Sequence, residues 1–253
     1  MNTATMKHYI DFASRAGFEY LLIDAEWYGP EINSPEEDIT TTIPEIDLPH
    51  IIEYANEHGV GILLWIYWEC ARDQMDKAFP LYEQWGVKGV KVDYMNADDQ
   101  EMVNFYRQVV EKAAQHHLLV DFHGSYKPTG LRRAYPNLVT REGVLGLEYV
   151  KWSERCNPAH DLILPYTRML AGPMDYTPGA FTVSTGEDFQ SRIENPMVLG
   201  TRAHQLAMYV VYESPLQMVV DHPAAYFGQA GFDFLRVVPT VWDDTKFIDG
   251  EVG

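Results

Sequence analysis

Short apolar segments typical of β-strands alternate with amphipathic helical segments along this chain. Strands separated by helices in this way pair in parallel through right-handed crossovers, so the pattern predicts an α/β fold. Strands are predicted at residues 20–24, 61–67, 89–93, 118–122 and 137–140, with two more in the less regular second half, near residue 172 and at 216–220. Helices are predicted at residues 6–16, 48–58, 73–85, 98–117, 159–171 and 200–212.

Polar residues that could carry chemistry follow the C-terminal ends of the predicted strands. A (β/α)8 barrel builds its active site there, and so does an open doubly wound sheet. No Gly-x-Gly-x-x-Gly or phosphate-loop motif follows a strand, which favours the barrel. We therefore predict a (β/α)8 TIM-type barrel over residues 1–243, incomplete because its first strand is absent. The residues at these ends are Asp24, Glu69, Asp93, His123, Glu142, Asp175 and Asp221.

The strand at residues 89–93 places two charged side chains on one face. Side chains alternate along a strand, so Lys91 and Asp93 point one way while Val90 and Val92 point the other. Such a pair is either a buried ion pair that fixes packing or part of a functional site. The strand alone does not separate these interpretations.

Composition excludes some partners. A net charge of −18 argues against binding to nucleic acid or to an anionic membrane surface. Cys70 and Cys156 are too few for a disulfide framework and are expected to be buried thiols. The chain has no apolar run of about 18 residues, so no membrane span is expected.

Carboxylates and aromatic side chains are the main chemical signal. The sequence has no His-Glu-x-x-His motif and no Gly-x-Ser-x-Gly elbow on a strand. Paired carboxylates cleave glycosidic bonds, and aromatic faces stack on sugar rings, although each aromatic could equally belong to the core. From the residues alone, a glycosidase, an aldolase and a metal-dependent hydrolase all stay open. The aromatic candidates are Trp27, Tyr28, Trp65, Tyr67 and Trp68.

Several segments in the same order resemble glycoside hydrolase family 97, whose members are α-glucosidases and α-galactosidases of saccharolytic bacteria. The resemblance implies a barrel flanked by β domains, with residues 244–253 as the start of a connection to a C-terminal β domain. It also implies a periplasmic or secreted location. The matching segments are residues 10–24, 86–96, 120–124, 140–143 with Glu148, and 172–179.

The resemblance also implies a stereochemical outcome. Retaining members of the family carry an aspartate nucleophile in a Lys-x-Asp motif, which Asp93 fills here. Inverting members instead carry a glutamate base directly after a histidine, and here Gly124 follows His123. The expected mechanism is therefore retaining, with Asp93 as nucleophile and Glu148 as acid/base. Lys91 would keep Asp93 ionised, because a nearby cation favours a charged carboxylate.

Other roles follow from the same resemblance. Lys91 and His123 match sugar-binding positions, and a calcium ion would be held by Glu142 and Glu148, although calcium needs more oxygen ligands than these two supply. The expected activity is exo-acting hydrolysis of terminal α-galactosides. The alternatives are an α-glucosidase, an inverting enzyme with Glu69 as base, or a truncated remnant that binds carbohydrate without turnover. Further expected pocket residues are Asp24, Glu26, Trp27 and Asp175.

Overall fold

The computed structural model describes residues 1–251, and the chain forms two compact units. The first unit comprises residues 1–126 and 130–139. The second comprises residues 127–129 and the chain from Thr140 onward. Within the described part of the chain, no helix is long and apolar enough to cross a membrane.

A five-stranded sheet in the order β1-β2-β3-β4-β5 organises the first unit. The pairings β1–β2, β2–β3 and β3–β4 are parallel. The Val120 N–H donates to the Asn137 carbonyl at 2.8 Å, where β4 meets the start of β5. The predicted α/β class and the five strands of the first half are confirmed. The strands are β1 (Tyr20–Ile23), β2 (Gly61–Tyr67), β3 (Gly89–Asp93), β4 (Leu119–Phe122) and β5 (Leu138–Arg141).

Four helices accompany this sheet, and local signals set their ends. The first helix ends where it was predicted to end, at Gly17 in a left-handed conformation, but it begins at Thr3 and not at residue 6, because Asn2 caps it by accepting the Thr5 N–H. The third helix begins at Trp68, directly after β2, and not at residue 73 as predicted. It has no side-chain cap, so the sequence carries no start signal there. The helices are α1 (Thr3–Ala16), α2 (Leu48–Glu57), α3 (Trp68–Trp85) and α4 (Gln100–Gln115).

The second unit is built from short elements. The predicted helix at 159–171 stops after Ile163 and continues as 3-10 turns, because Pro165 cannot supply the backbone N–H that an α-helix needs. Its α-helices are α5 (Pro158–Ile163), α6 (Arg202–Val211) and α7 (Phe232–Leu235), its strands are β6 (Val183–Ser184) and β7 (Val198–Leu199), and its 3-10 helices are Leu147–Lys151, Leu164–Tyr166, Arg168–Ala171 and Pro223–Ala225.

The two strands predicted in this second half are wrong. Residues 172–179 and 216–220 adopt no strand. Side chains satisfy the backbone around the second segment: the Tyr209 hydroxyl donates to the Met218 carbonyl, and the Ser214 hydroxyl donates to the Leu216 carbonyl. These carbonyls are therefore satisfied without a neighbouring strand.

Candidate active site

Asp93 is the last residue of β3, and two N–H groups hold its carboxylate. The Trp65 indole Nε1–H donates to Oδ2 at 2.9 Å, and the Tyr94 backbone N–H donates to Oδ1 at 2.6 Å. Tyr94 has φ of 71°, a left-handed conformation that turns the chain immediately after Asp93. Both oxygens of Asp93 are thus oriented by donors that belong to the first unit.

Gly124 packs its backbone directly against this carboxylate. Its φ is 52°, and its carbonyl accepts the Asn96 N–H at 2.6 Å. A Cβ added at Gly124 would lie 2.8 Å from the Tyr94 nitrogen and 3.0 Å from Asp93 Oδ1. No side chain fits at this position while Asp93 and Tyr94 keep their places.

Lys91 in β3 pairs with Asp24, the residue directly after β1. The Lys91 Nζ lies 3.0 Å from Asp24 Oδ2, with the lysine side chain 12 % exposed and the aspartate 52 % exposed. Desolvation acts to raise the pKa of Asp24, but Lys91, the Ala25 N–H and His123 together lower it. Asp24 is therefore an ionised partner of Lys91.

His123 is buried at the end of β4. Its backbone N–H donates to the Val92 carbonyl at 3.0 Å, which holds it beside β3. Its imidazole Nε2 lies 3.6 Å from Oδ2 of Asp121, another buried residue of β4. His123 is therefore a buried imidazole beside a buried carboxylate of the same strand.

Trp27 has a core role in place of the predicted sugar contact. Its side chain is 0 % exposed, and its Nε1–H donates to the Trp65 carbonyl at 2.7 Å. Tyr28 is also buried and stacks on Trp65, with ring planes 16° apart. These side chains fix the strand that carries the indole donor to Asp93. Glu26, by contrast, is exposed and has φ of 70°.

Glu148 lies in the second unit, on the 3-10 helix Leu147–Lys151. Its side chain is about half exposed, and its Oε1 accepts a hydrogen bond from the Lys151 Nζ at 2.8 Å. Leu147 and Val150 are buried and anchor the helix. Glu148 is therefore a solvent-accessible carboxylate on a fixed backbone with one cationic partner.

Arg168 ties together the two segments that carry Glu142 and Asp175. Its guanidinium donates to five backbone carbonyls at distances between 2.7 and 3.2 Å. Burial, aided by the nearby Arg141 and opposed by Glu142, lowers the pKa of Arg168 to about 10. Asp175 is buried, and its N–H donates to the Arg141 carbonyl at 2.9 Å. The carbonyl acceptors belong to Arg141, Glu142, Gly143, Gly172 and Pro173.

Glu142 and Glu148 have the chemistry that calcium prefers but do not form a sufficient site. Calcium takes six to eight oxygen ligands, and one oxygen of Glu148 already accepts from an ammonium. Among the residues that the structure describes, neither glutamate belongs to a cluster of three potential ligands within 4.8 Å of one another. The residues present therefore do not define a calcium site, and no chemical step is assigned to the ion.

The structure brings some predicted residues together and adds others. Lys91 and Asp24 are in contact, and Asp93 lies against Gly124. Glu142, Glu148 and Asp175 lie in the second unit. Sequence reasoning missed Trp65 as a donor, Lys151 as the partner of Glu148, and Arg168. Of these three roles, only that of Lys151 could have been predicted from the sequence. It follows Glu148 by three residues, and residues at this spacing lie above one another in a 3-10 turn.

Comparisons with known proteins identify relatives of the whole chain. A family profile described as glycoside hydrolase 97 matches residues 1–144. A retaining α-galactosidase of Bacteroides thetaiotaomicron is 41 % identical over 256 residues, covering 100 % of this chain and 38 % of that protein. This chain therefore spans less than half the length of that relative.

Two solved structures are similar to this chain over nearly its whole length. A glycoside hydrolase family 97 enzyme from Pseudoalteromonas sp. strain K8, in complex with acarbose, superposes with a TM-score of 0.89 at 35 % identity, covering 99 % of this chain and 42 % of that one. A β-arabinopyranosidase superposes with a TM-score of 0.83 at 28 % identity, covering 100 % of this chain and 41 % of that one.

Proposed function

The chain belongs to glycoside hydrolase family 97, and from that membership we propose that it forms the catalytic part of a retaining, exo-acting α-galactosidase. The name of the Bacteroides relative supports this reaction for the present chain. We also propose that β1 to β5 form part of a (β/α)8 barrel, supported by their sequential order and by the parallel pairing of β1 to β4.

One observation carries the retaining mechanism: the backbone of Gly124 fills the space beside Asp93. Family resemblance associates inversion with a glutamate directly after the histidine. A side chain there would approach Tyr94 and the Asp93 carboxylate to 3.0 Å or less. Asp93 and a glutamate at position 124 would therefore exclude each other, and this chain has Asp93. The geometry favours Asp93 as the nucleophile.

The proposed reaction has two steps. In the first, an oxygen of Asp93 attacks the anomeric carbon from the β face while the bond to the leaving oxygen breaks and Glu148 protonates that oxygen. This produces a β-galactosyl ester on Asp93. In the second, Glu148 removes a proton from water, the water oxygen attacks the anomeric carbon, and the ester bond breaks. The product is α-galactose, and both carboxyl groups return to their starting states.

The side chains around Asp93 have supporting roles in this proposal. The Trp65 indole and the Tyr94 N–H orient the nucleophile. Lys91, His123, Asp24, Glu26 and Asp175 are proposed to bind the galactosyl ring, and the ion pair between Lys91 and Asp24 would hold the lysine for a sugar hydroxyl. Glu142 and Glu148 are the positions that family resemblance assigns to calcium, and by themselves these two carboxylates are proposed to bind it weakly.

The test is turnover of p-nitrophenyl α-galactoside against the matching α-glucoside. We expect faster hydrolysis of the galactoside, and Asp93→Asn is expected to lower kcat by at least about 10³-fold. Asp98→Asn, an exposed carboxylate nearby, is the matched control and should change little. Faster turnover of the glucoside would instead support the α-glucosidase alternative, which is kept because the Pseudoalteromonas relative binds acarbose. Sugar binding without turnover, unchanged by Asp93→Asn, would support the remnant.

A further inference from the structure

The 3-10 helix Leu147–Lys151 sorts its side chains into three columns. A 3-10 helix has three residues per turn, so residues i and i+3 lie above one another. Leu147 and Val150 form the buried column, and Glu148 and Lys151 form the ion pair. The third column continues one residue past the helix, to Trp152.

This third column is an exposed aromatic pair, Tyr149 and Trp152, which we call the aromatic shelf. Tyr149 is 41 % exposed and Trp152 is 55 % exposed. Their ring centroids are 5.5 Å apart with planes at 72°, so the rings meet edge to face and are not stacked face to face. The Trp152 N–H donates to the Tyr149 carbonyl at 3.0 Å, which fixes their spacing. The shelf is rigid at the backbone and open at the side chains.

A cationic side chain lies over each ring of the shelf. The Lys151 Nζ lies 5.9 Å from the Trp152 ring centroid and also contacts Glu148. The Arg155 guanidinium carbon lies 5.9 Å from the Tyr149 ring centroid. Aromatic faces bind the C–H faces of a pyranose, and neighbouring N–H donors bind its hydroxyls. A sugar ring matches this combination of groups.

We propose that the aromatic shelf binds the leaving-group sugar of the substrate, the ring attached to the oxygen that Glu148 protonates. This rests on the proposed function, since it takes Glu148 as the acid/base. The shelf is the column next to Glu148 on the same helix, and Lys151 bridges the carboxylate and the Trp152 ring. The group bound to the protonated oxygen must lie beside Glu148, and the shelf is an aromatic surface carried by the same 3-10 helix.

The experiment compares two substrates that differ in the leaving group. The disaccharide 6-O-α-galactosyl-glucose leaves a sugar, whereas α-galactosyl fluoride leaves only fluoride. For Tyr149→Ala and Trp152→Ala, kcat/KM for the disaccharide is expected to fall about 10-fold, the effect of one lost stacking contact. For the fluoride it should be unchanged. Trp152→Phe should restore most of the loss, and Trp242→Ala, an exposed tryptophan elsewhere in the second unit, is the matched control.

The outcomes separate the two proposals. Equal losses on both substrates would overturn the shelf's role, because a shelf that only supports the fold or binds the galactosyl ring affects both. No loss on either substrate in the alanine variants would overturn it as well. Wild-type protein that hydrolyses neither substrate would overturn the proposed function itself. Thermal melts of each variant identify a fall caused by unfolding.

Discussion

The position of the Asp93 carboxylate depends both on its hydrogen bonds and on the lack of a side chain at Gly124. Gly124→Ala adds a Cβ 2.8 Å from the Tyr94 nitrogen and 3.0 Å from Asp93 Oδ1. If Asp93 is the nucleophile, as proposed, its displacement is expected to lower kcat about 100-fold, since small misplacements have effects of this size.

The matched control for this substitution is Gly59→Ala. Gly59 also has positive φ, 72°, but a Cβ there meets nothing within 4 Å. Both variants should lose about 1 kcal/mol or more of stability from backbone strain, and only Gly124→Ala should lose activity. Initial rates and melting curves of the two proteins measure this. Equal activity in both would mean that Gly124 does not constrain Asp93.

Side-chain alternation in β3 was enough to predict that Lys91 and Asp93 share a face. The residues that contact Lys91 and Asp93 could not be predicted, because these contacts depend on the register between strands. In that register Trp65 lies opposite Lys91 and Tyr67 lies opposite Asp93. Trp27 shows the same limit. An aromatic after a strand suits a sugar platform or a core equally well, and only packing shows that it is buried.

In the second unit, the substitution that we expect to destabilise the protein most is at Arg168, the first residue of the 3-10 helix Arg168–Ala171. Arg168→Met leaves five backbone carbonyls without this donor, and two of them belong to the buried residues Arg141 and Pro173. We expect a loss of about 2–4 kcal/mol in the free energy of unfolding, measured by urea denaturation. Arg192→Met is the control, because this exposed arginine donates to one carbonyl among the described residues, that of Asn195. Equal losses in the two variants would contradict the role given to Arg168.

A second prediction concerns the contact between α3 and the residues after α4. Hydrogen bonds from His116 and then His117 lower the pKa of Glu83. A carboxyl with a lowered folded-state pKa stabilises the protein above its unfolded pKa of about 4.3, and the contribution is lost as pH falls through the folded pKa. Glu83→Gln should therefore lower Tm slightly at pH 6, by about 1 °C, and not at pH 2.

Thermal melts of Glu83→Gln and of Glu57→Gln, an exposed glutamate on α2, check this at both pH values. The effect is expected to be small because both oxygens of Glu83 lie near solvent. A loss of the same size at pH 2 would show that the glutamine disturbs packing and not an ionic contact.

Elements of the first unit were predictable because their signals are local. Apolar strands, capping residues and left-handed glycines each lie within a few residues of the boundary they set. The second unit was less predictable because distant side chains satisfy its backbone. The Asp221 carboxylate, for example, accepts the N–H groups of Phe181 and Thr182 at 2.7 and 2.8 Å. Contacts across forty residues leave no periodic pattern.

For the molecule as a whole, the family match and the structure give different information about function. Residues alone left three enzyme classes open, and the match to glycoside hydrolase family 97 identified the class. The structure then added what the family could not supply for this chain, namely the donors to Asp93 and the cation beside Glu148.

The central claim is double displacement at Asp93. Proton NMR of an aryl α-galactoside during its first minutes of hydrolysis distinguishes the anomers of free galactose before they interconvert. We expect α-galactose to appear first and the β-anomer to accumulate only by mutarotation. Initial release of β-galactose would contradict it, because water would then have attacked directly from the β face.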